Sequence, residues 1–138
     1  MLRTIADSGP LIALFEPAER NHARVRSFIE NYEGALLTTW PVLTEVGHLL
    51  GHSLDRQLAF LEWVERGGVE VTTPGAGAVS LIRHLSEKYR ALPMDIADGS
   101  LIVLALESGV RDILTLDRDF DVYRLPDRSR FNNVLATT

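Results

Sequence analysis

The chain has 138 residues, 46% hydrophobic and 24% charged, which suits a single globular domain over 1–138 with a sizeable core. Without any cysteine, a disulfide framework and a thiolate metal site are excluded, and a reducing cytoplasm is the expected compartment. The net charge of −5 speaks against a broadly basic nucleic-acid surface, and the longest apolar run, Leu101 to Leu106, falls far short of the roughly 20 residues that cross a bilayer, so a soluble protein with no membrane partner is expected.

Leu2 to Ala6 is a short apolar segment ending at Asp7, after which Ser8, Gly9 and Pro10 open an apolar helical run, Leu11 to Phe15. The pattern is strand, acidic turn, helix, and on its own it is equally served by Asp7 or Ser8 acting as an N-cap. Asn21 to Tyr32 carries Val25, Phe28, Ile29 and Tyr32 at helical spacing, with charges opposite. Gly34 breaks that helix. Ala35 to Thr39 then predicts a second strand whose terminal hydroxyls can cap a third helix, with Pro41 in its first turn.

In the third helix Val42, Val46, Leu49 and Leu50 form the apolar stripe, and Glu45 lies at its edge, about 60° from Val42 at roughly 100° per residue. His48 and His52 stand four apart, a spacing that suits a metal, but Leu49 occupies the place of a zinc protease's glutamate and no third ligand is evident. Leu54 to Val64 places Leu54, Leu58, Leu61 and Val64 at helical spacing beside Phe60 and Trp63; core packing and a partner surface explain these aromatics equally well. Gly67 and Gly68 end that helix, Val69 to Thr72 predicts a third strand, and Ala78 to Tyr89 another amphipathic helix.

The stretch Pro93 to Leu106, P-M-D-I-A-D-G-S-L-I-V-L-A-L, carries two acids into a wholly apolar helix. Asp95 reads as its N-cap. Capping accounts less well for Asp98, whose neighbours at i+3, i+4 and i+7 are Leu101, Ile102 and Ala105; a carboxylate on a buried helix face costs several kcal/mol unless it is paired or bound to metal. Gly109 closes the helix. Asp112 to Leu116 predicts a fourth strand running into T-L-D-R-D-F, and Phe131 to Leu135 offers a last one.

Short apolar strands alternating with amphipathic helices predict a three-layer α/β/α domain with a central, mainly parallel sheet. In such sheets chemistry gathers beyond the carboxyl ends of the strands. Asp7 and Asp117 follow strands, while Glu45 and Asp98 sit in the first turns of helices starting on that side, so four acids are expected to converge on one edge. Oxygen-only ligands favour Mg²⁺ or Mn²⁺. The chemistry indicated is phosphodiester hydrolysis by a metal-activated water.

The strand-Asp7-Ser8 opening, Glu45, the M-D-I-A-D-G-S-L run and T-L-D-R-D-F together resemble the PIN-domain ribonucleases, specifically the VapC toxins of bacterial toxin–antitoxin modules. The likeness covers nearly the whole chain. It implies metal-dependent endoribonuclease activity on an RNA substrate, a homodimer, and neutralisation by a VapB-type antitoxin. It makes Asp7, Glu45, Asp98 and Asp117 the metal-binding and catalytic quartet, with Asp95 and Asp119 as further ligands, ligands through water, or only caps. Ser8 and Thr115 are placed to orient the ligating carboxylates. Gly99 departs from the alanine expected in this run and is expected to loosen the helix.

Four other functions share this pattern in whole or in part. A PIN-domain protein in RNA processing, or one that binds RNA without cutting it, shares all these features. A receiver-type signalling domain would want a lysine near the last strand, whereas the only lysine is Lys88. A haloacid-dehalogenase-like phosphatase would want a second acid where Gly9 stands.

Overall fold

The computed structural model describes residues 1–137. Five strands form one sheet: β1 (Leu2–Ala6), β2 (Gly34–Thr39), β3 (Glu70–Thr72), β4 (Asp112–Leu114) and β5 (Asn132–Asn133), in the order β3-β2-β1-β4-β5. Every neighbouring pair is parallel, with Ile5 opposite Leu37 on one side and Ile113 on the other. Six helices connect and cover them: α1 (Ser8–Phe15), α2 (His22–Asn31), α3 (Trp40–Leu49), α4 (Leu54–Glu65), α5 (Ala78–Lys88) and α6 (Ile96–Ser108). The expected α/β/α architecture with a parallel sheet is the one observed.

The strand order places a topological switch between β1 and β4. Chain connections leave in opposite directions there, which opens a crevice at the strands' carboxyl ends. The larger core cluster joins Ile5, Leu37 and Ile113 of the sheet to Val42 and Val46 of α3, Phe60 of α4, Leu85 of α5 and Leu101 and Ile102 of α6. A second cluster joins Val25 of α2 and Ala13 of α1 to Leu114 and Leu135. Residues Gly99 to Ala105 of α6 are all buried, as its lack of a polar face requires. Gly109 ends it at φ 77°, a backbone conformation that favours glycine.

Several local expectations change. The leucines Leu54, Leu58 and Leu61 of α4 are 65%, 52% and 45% exposed, while Phe60 and Trp63 turn inward onto Phe15. The inward face was therefore the aromatic one. Leu49 is likewise exposed at the end of α3. Two strands are shorter than their apolar runs: β4 stops at Leu114, and β5 spans only Asn132–Asn133 before a 3-10 turn, Val134–Thr137. The Thr39 hydroxyl does not cap α3; it pairs with Ser100 Oγ at 2.6 Å, joining the end of β2 to α6. Gly99 also does more than loosen its helix. A Cβ there would lie 2.9 Å from Ile82 Cγ2, so the missing side chain lets α5 pack closely on α6.

No helix among the described residues is long and apolar enough to cross a membrane.

Candidate functional site

Asp7 is the first residue past β1, at the switch point, and it is 4% exposed. Its backbone N–H donates to the Leu114 carbonyl at 3.0 Å, which continues the β1–β4 pairing one residue further and fixes where the side chain leaves the sheet. Two donors hold the carboxylate: the Ser8 amide to Oδ1 at 2.7 Å, and the Thr115 hydroxyl to Oδ2 at 2.7 Å. Thr115 sits on the neighbouring strand's exit, 108 residues away in sequence. Its hydroxyl oxygen also accepts from the Asp117 amide at 3.0 Å, so one threonine sets the position of both acids.

Asp117 caps a short 3-10 turn, Arg118–Asp121, accepting from the Asp119 amide at 2.9 Å. Glu45 lies in the second turn of α3, one turn later than expected, as the sixth residue of a helix that begins at Trp40. The Ser8 hydroxyl donates to Glu45 Oε1 at 3.0 Å. Ser8 thus serves Asp7 through its amide and Glu45 through its side chain.

At the head of α6, Asp95 and Asp98 form a reciprocal capping box: Asp95 Oδ1 accepts from the Asp98 amide at 2.7 Å, and Asp98 Oδ2 accepts from the Asp95 amide at 3.3 Å. Capping therefore explains more of Asp98 than the sequence suggested. Asp95 is exposed and Asp98 half-buried. The loop entering this helix is held by Tyr123, a fully buried side chain whose hydroxyl donates to the Leu92 and Pro93 carbonyls at 3.4 and 3.3 Å. Neither Tyr123 nor the Thr39–Ser100 pair is marked by any sequence motif; both contacts join residues far apart in the chain.

The acids feel one another. Burial pushes the Asp7 carboxyl up to about 6, against the pull of Thr115 and the Ser8 amide, and the charges of Asp117 and Glu45 add to the rise. Asp98 is pushed well above the ordinary carboxylate range, first by burial and then by Asp95, Asp7 and Asp117. Glu45 is raised by burial and by Asp95, against the Ser8 hydrogen bond. Burial also raises the Tyr123 phenol, and the negative potential of Asp98, Asp119, Asp117 and Asp95 raises it further. One edge of the sheet thus gathers Asp7, Glu45, Asp95, Asp98, Asp117 and Asp119.

The gathering is looser than expected. Among the described residues, no three Asp, Glu or His side chains close into a group ready to enclose a metal ion. The hydrogen bonds give the reason: Glu45, Asp98 and Asp117 each have one oxygen held by a protein donor, Glu45 by Ser8 and the other two by amides two or three residues away, while mutual repulsion opposes closer approach. Their second oxygens, Glu45 Oε2, Asp98 Oδ1 and Asp117 Oδ2, have no protein partner among the described residues. Asp7 uses only two of a carboxylate's roughly four acceptor positions. An all-oxygen set in which Asp7 keeps spare acceptor positions and the other three acids each keep one uncommitted oxygen fits a hard divalent cation that keeps several of its waters, as Mg²⁺ does; it does not fit a dehydrated all-protein cage.

A larger cavity, about 580 Å³, lies at the opposite edge of the sheet between Leu2, Phe28 and Tyr32 and contains none of these acids.

The chain is 34% identical over 116 residues to the ribonuclease VapC26 of Mycobacterium tuberculosis, covering 83% of this chain and 86% of that protein. Its fold is similar to the crystal structure of M. tuberculosis VapC20, a sarcin–ricin loop cleaving toxin, with a TM-score of 0.79 at 15% identity, covering 86% of this chain and 93% of that one. It is also similar to VapBC2 of Rickettsia felis bound to a DNA fragment from its promoter, with a TM-score of 0.62 at 11% identity over 91% of this chain and 95% of that one. No family model matches the chain.

Proposed function

Because the chain belongs to the VapC family of ribonuclease toxins, we propose that it is an endoribonuclease in which Asp7, Glu45, Asp98 and Asp117 hold Mg²⁺ or Mn²⁺ against the scissile phosphate. The observation that carries this reading is the Asp7 carboxylate at the β1–β4 switch, tethered by Thr115, with its pKa raised by burial and then by its acidic neighbours. A buried carboxylate with no basic partner is costly, and a bound cation offsets that cost.

When bound, such an ion supplies a water acidic enough to attack phosphorus near neutral pH and offsets charge on the phosphate oxygens. The chain's own residues set the geometry. Thr115 fixes the Asp7 carboxylate and the backbone of Asp117 together; Ser8 fixes Glu45 relative to Asp7; the α6 capping box fixes Asp98. Asp95 and Asp119 stand beside this set, Asp95 as a cap and Asp119 at the start of the 3-10 turn, and either can reach the ion through water.

In the cell we expect a VapB-type antitoxin to neutralise the protein, as the R. felis VapBC2 pair suggests. The remaining parts of the reading are a single PIN domain, a homodimer and a cytoplasmic site of action. Induced expression should arrest growth, and the Asp7→Asn protein should not. Purified protein should cleave total host RNA in Mg²⁺ or Mn²⁺ and stop in excess EDTA. Undiminished cleavage in EDTA would overturn the metal role, and no cleavage under any divalent ion would overturn the nuclease reading.

A further inference from the structure

Beside the acids, on the far side of Thr115, lies a cavity of about 370 Å³ lined by Arg20, Asn21, Arg24, Thr115, Arg118 and Asp121, among others. It brings together three arginines from two distant parts of the chain, and among the described residues only one carboxylate, Asp121, lines it. The rest of the molecule has the opposite sign, with a net charge of −5. A polyanionic strand approaching the acidic edge is repelled unless positive charge lies along its path.

These arginines are not spent on internal ion pairs. Among the described residues, Arg20, Arg24 and Arg118 have no carboxylate at salt-bridge distance, whereas Arg26, Arg56, Arg66, Arg90 and Arg111 all do. Arg20 and Arg118 are exposed, and Arg24 donates to the Leu135 carbonyl, which holds its guanidinium at the cavity wall. The N-terminus of the ten-residue α2 also lies here: its N-cap Asn21 lines the cavity and makes no side-chain capping bond, and although the His22 amide is taken by the Glu19 carbonyl, the helix end adds partial positive charge to the same space. The shared wall sets the distance. Thr115 lines the cavity, and its hydroxyl is bonded to Asp7.

We propose that the cavity between Arg20, Arg24 and Arg118 seats a backbone phosphate of the RNA strand adjacent to the one held at the acids. This rests on the nuclease reading and names how that site positions its substrate. Guanidinium groups suit the task because their planar fork matches a phosphate's oxygens. The contact is to backbone only and so contributes affinity and register, with no base preference.

The test separates binding from cleavage. Binding of a 5′-fluorescein single-stranded oligouridylate 10-mer is followed by anisotropy in EDTA for the wild type, Arg20→Gln/Arg118→Gln, and Arg83→Gln, an exposed α5 residue that does not line the cavity. The double variant should raise Kd by at least about tenfold and flatten the slope of log K against log salt by up to about 0.7, the value for one lost phosphate contact on a single strand. Arg83→Gln should leave both unchanged. In cleavage of total host RNA, the double variant should raise KM with kcat retained, whereas Asp7→Asn should lose kcat and still bind. Equal affinity and salt slope for the double variant and the wild type would overturn the proposal, as would no binding by the wild type. Wild-type binding that depends on the two arginines, with no cleavage in any divalent ion, would uphold the cavity and overturn the nuclease reading alone.

Discussion

At the end of β1, the Asp7 carboxylate is 4% exposed and depends on a hydroxyl 108 residues away, whereas at the head of α6, Asp98 is half-buried and is held by the capping box it forms with Asp95, three residues before it. Both acids reach the same edge. Asp98 has a local reason to be there that needs no ligand, and Asp7 has little: its one local bond is to the next residue's amide, and its burial is imposed by the sheet. The difference teaches that helix capping can position an acid, but only tertiary packing makes its charge expensive, and it is that cost a cation offsets.

The sharpest way to break this comparison is to neutralise each acid in turn. Asp7→Asn and Asp98→Asn should each lower cleavage by at least on the order of 10²-fold, beyond the 10- to 100-fold typical of losing an outer-shell partner. Without divalent ions both substitutions relieve a carboxylate that burial makes costly. Asp7→Asn removes a buried charge and keeps an acceptor for Thr115 but sets its amide nitrogen against the Ser8 amide, so its Tm should rise by only a few degrees at neutral pH. A fall in Tm for Asp7→Asn would show that the lost Ser8 bond outweighs the relieved charge.

Thr115→Val should follow, with a 10- to 100-fold loss of activity and partial recovery in Thr115→Ser, because serine restores the hydroxyl. Metal affinity measured by calorimetry should fall in parallel. Unchanged affinity would mean that Thr115 acts only in folding.

The pH dependence of stability comes next. Asp7 holds its proton up to about 6 in the folded chain, against an ordinary value of 3.8. The folded state therefore binds that proton more tightly than the unfolded state does. The associated stability is complete at low pH and is lost as pH rises through about 6, by on the order of 3 kcal/mol at most. Metal-free wild type should thus lose stability relative to Asp7→Asn between about pH 4 and pH 7, as denaturant melts would show. Added Mg²⁺ should reverse the loss at pH 7.5 and have less effect at pH 5, where Asp7 and Asp98 hold their protons.

Smaller effects belong to the α6 side. Asp95→Ala removes the better of the two capping bonds and should cost about 0.5–2 kcal/mol, with Asp95→Asn close to wild type. Gly99→Ala should change stability by less than about 1 kcal/mol: the helix gains propensity, but the new Cβ meets the branched, stiff Ile82. A gain of the full propensity increment would mean that Ile82 moves aside freely.

What the sequence determined by itself was periodic or local: the alternation of strand and helix, hence a parallel sheet; acids directly after β1 and shortly after β4; and a helix too apolar to lie at the surface. These follow from backbone hydrogen bonding and burial period, which act between residues a few positions apart. Tertiary structure decided the rest. Helical spacing in α4 could not say that the aromatic side, and not the leucine side, faces the core, because that depends on Phe15 from another helix. Nor could it pair Thr115 with Asp7, divert Thr39 to Ser100, or gather Arg20, Arg24 and Arg118 around one cavity. Such contacts join residues that meet only when the strands are laid side by side, and their order in the sheet is set by how the helices pack over it.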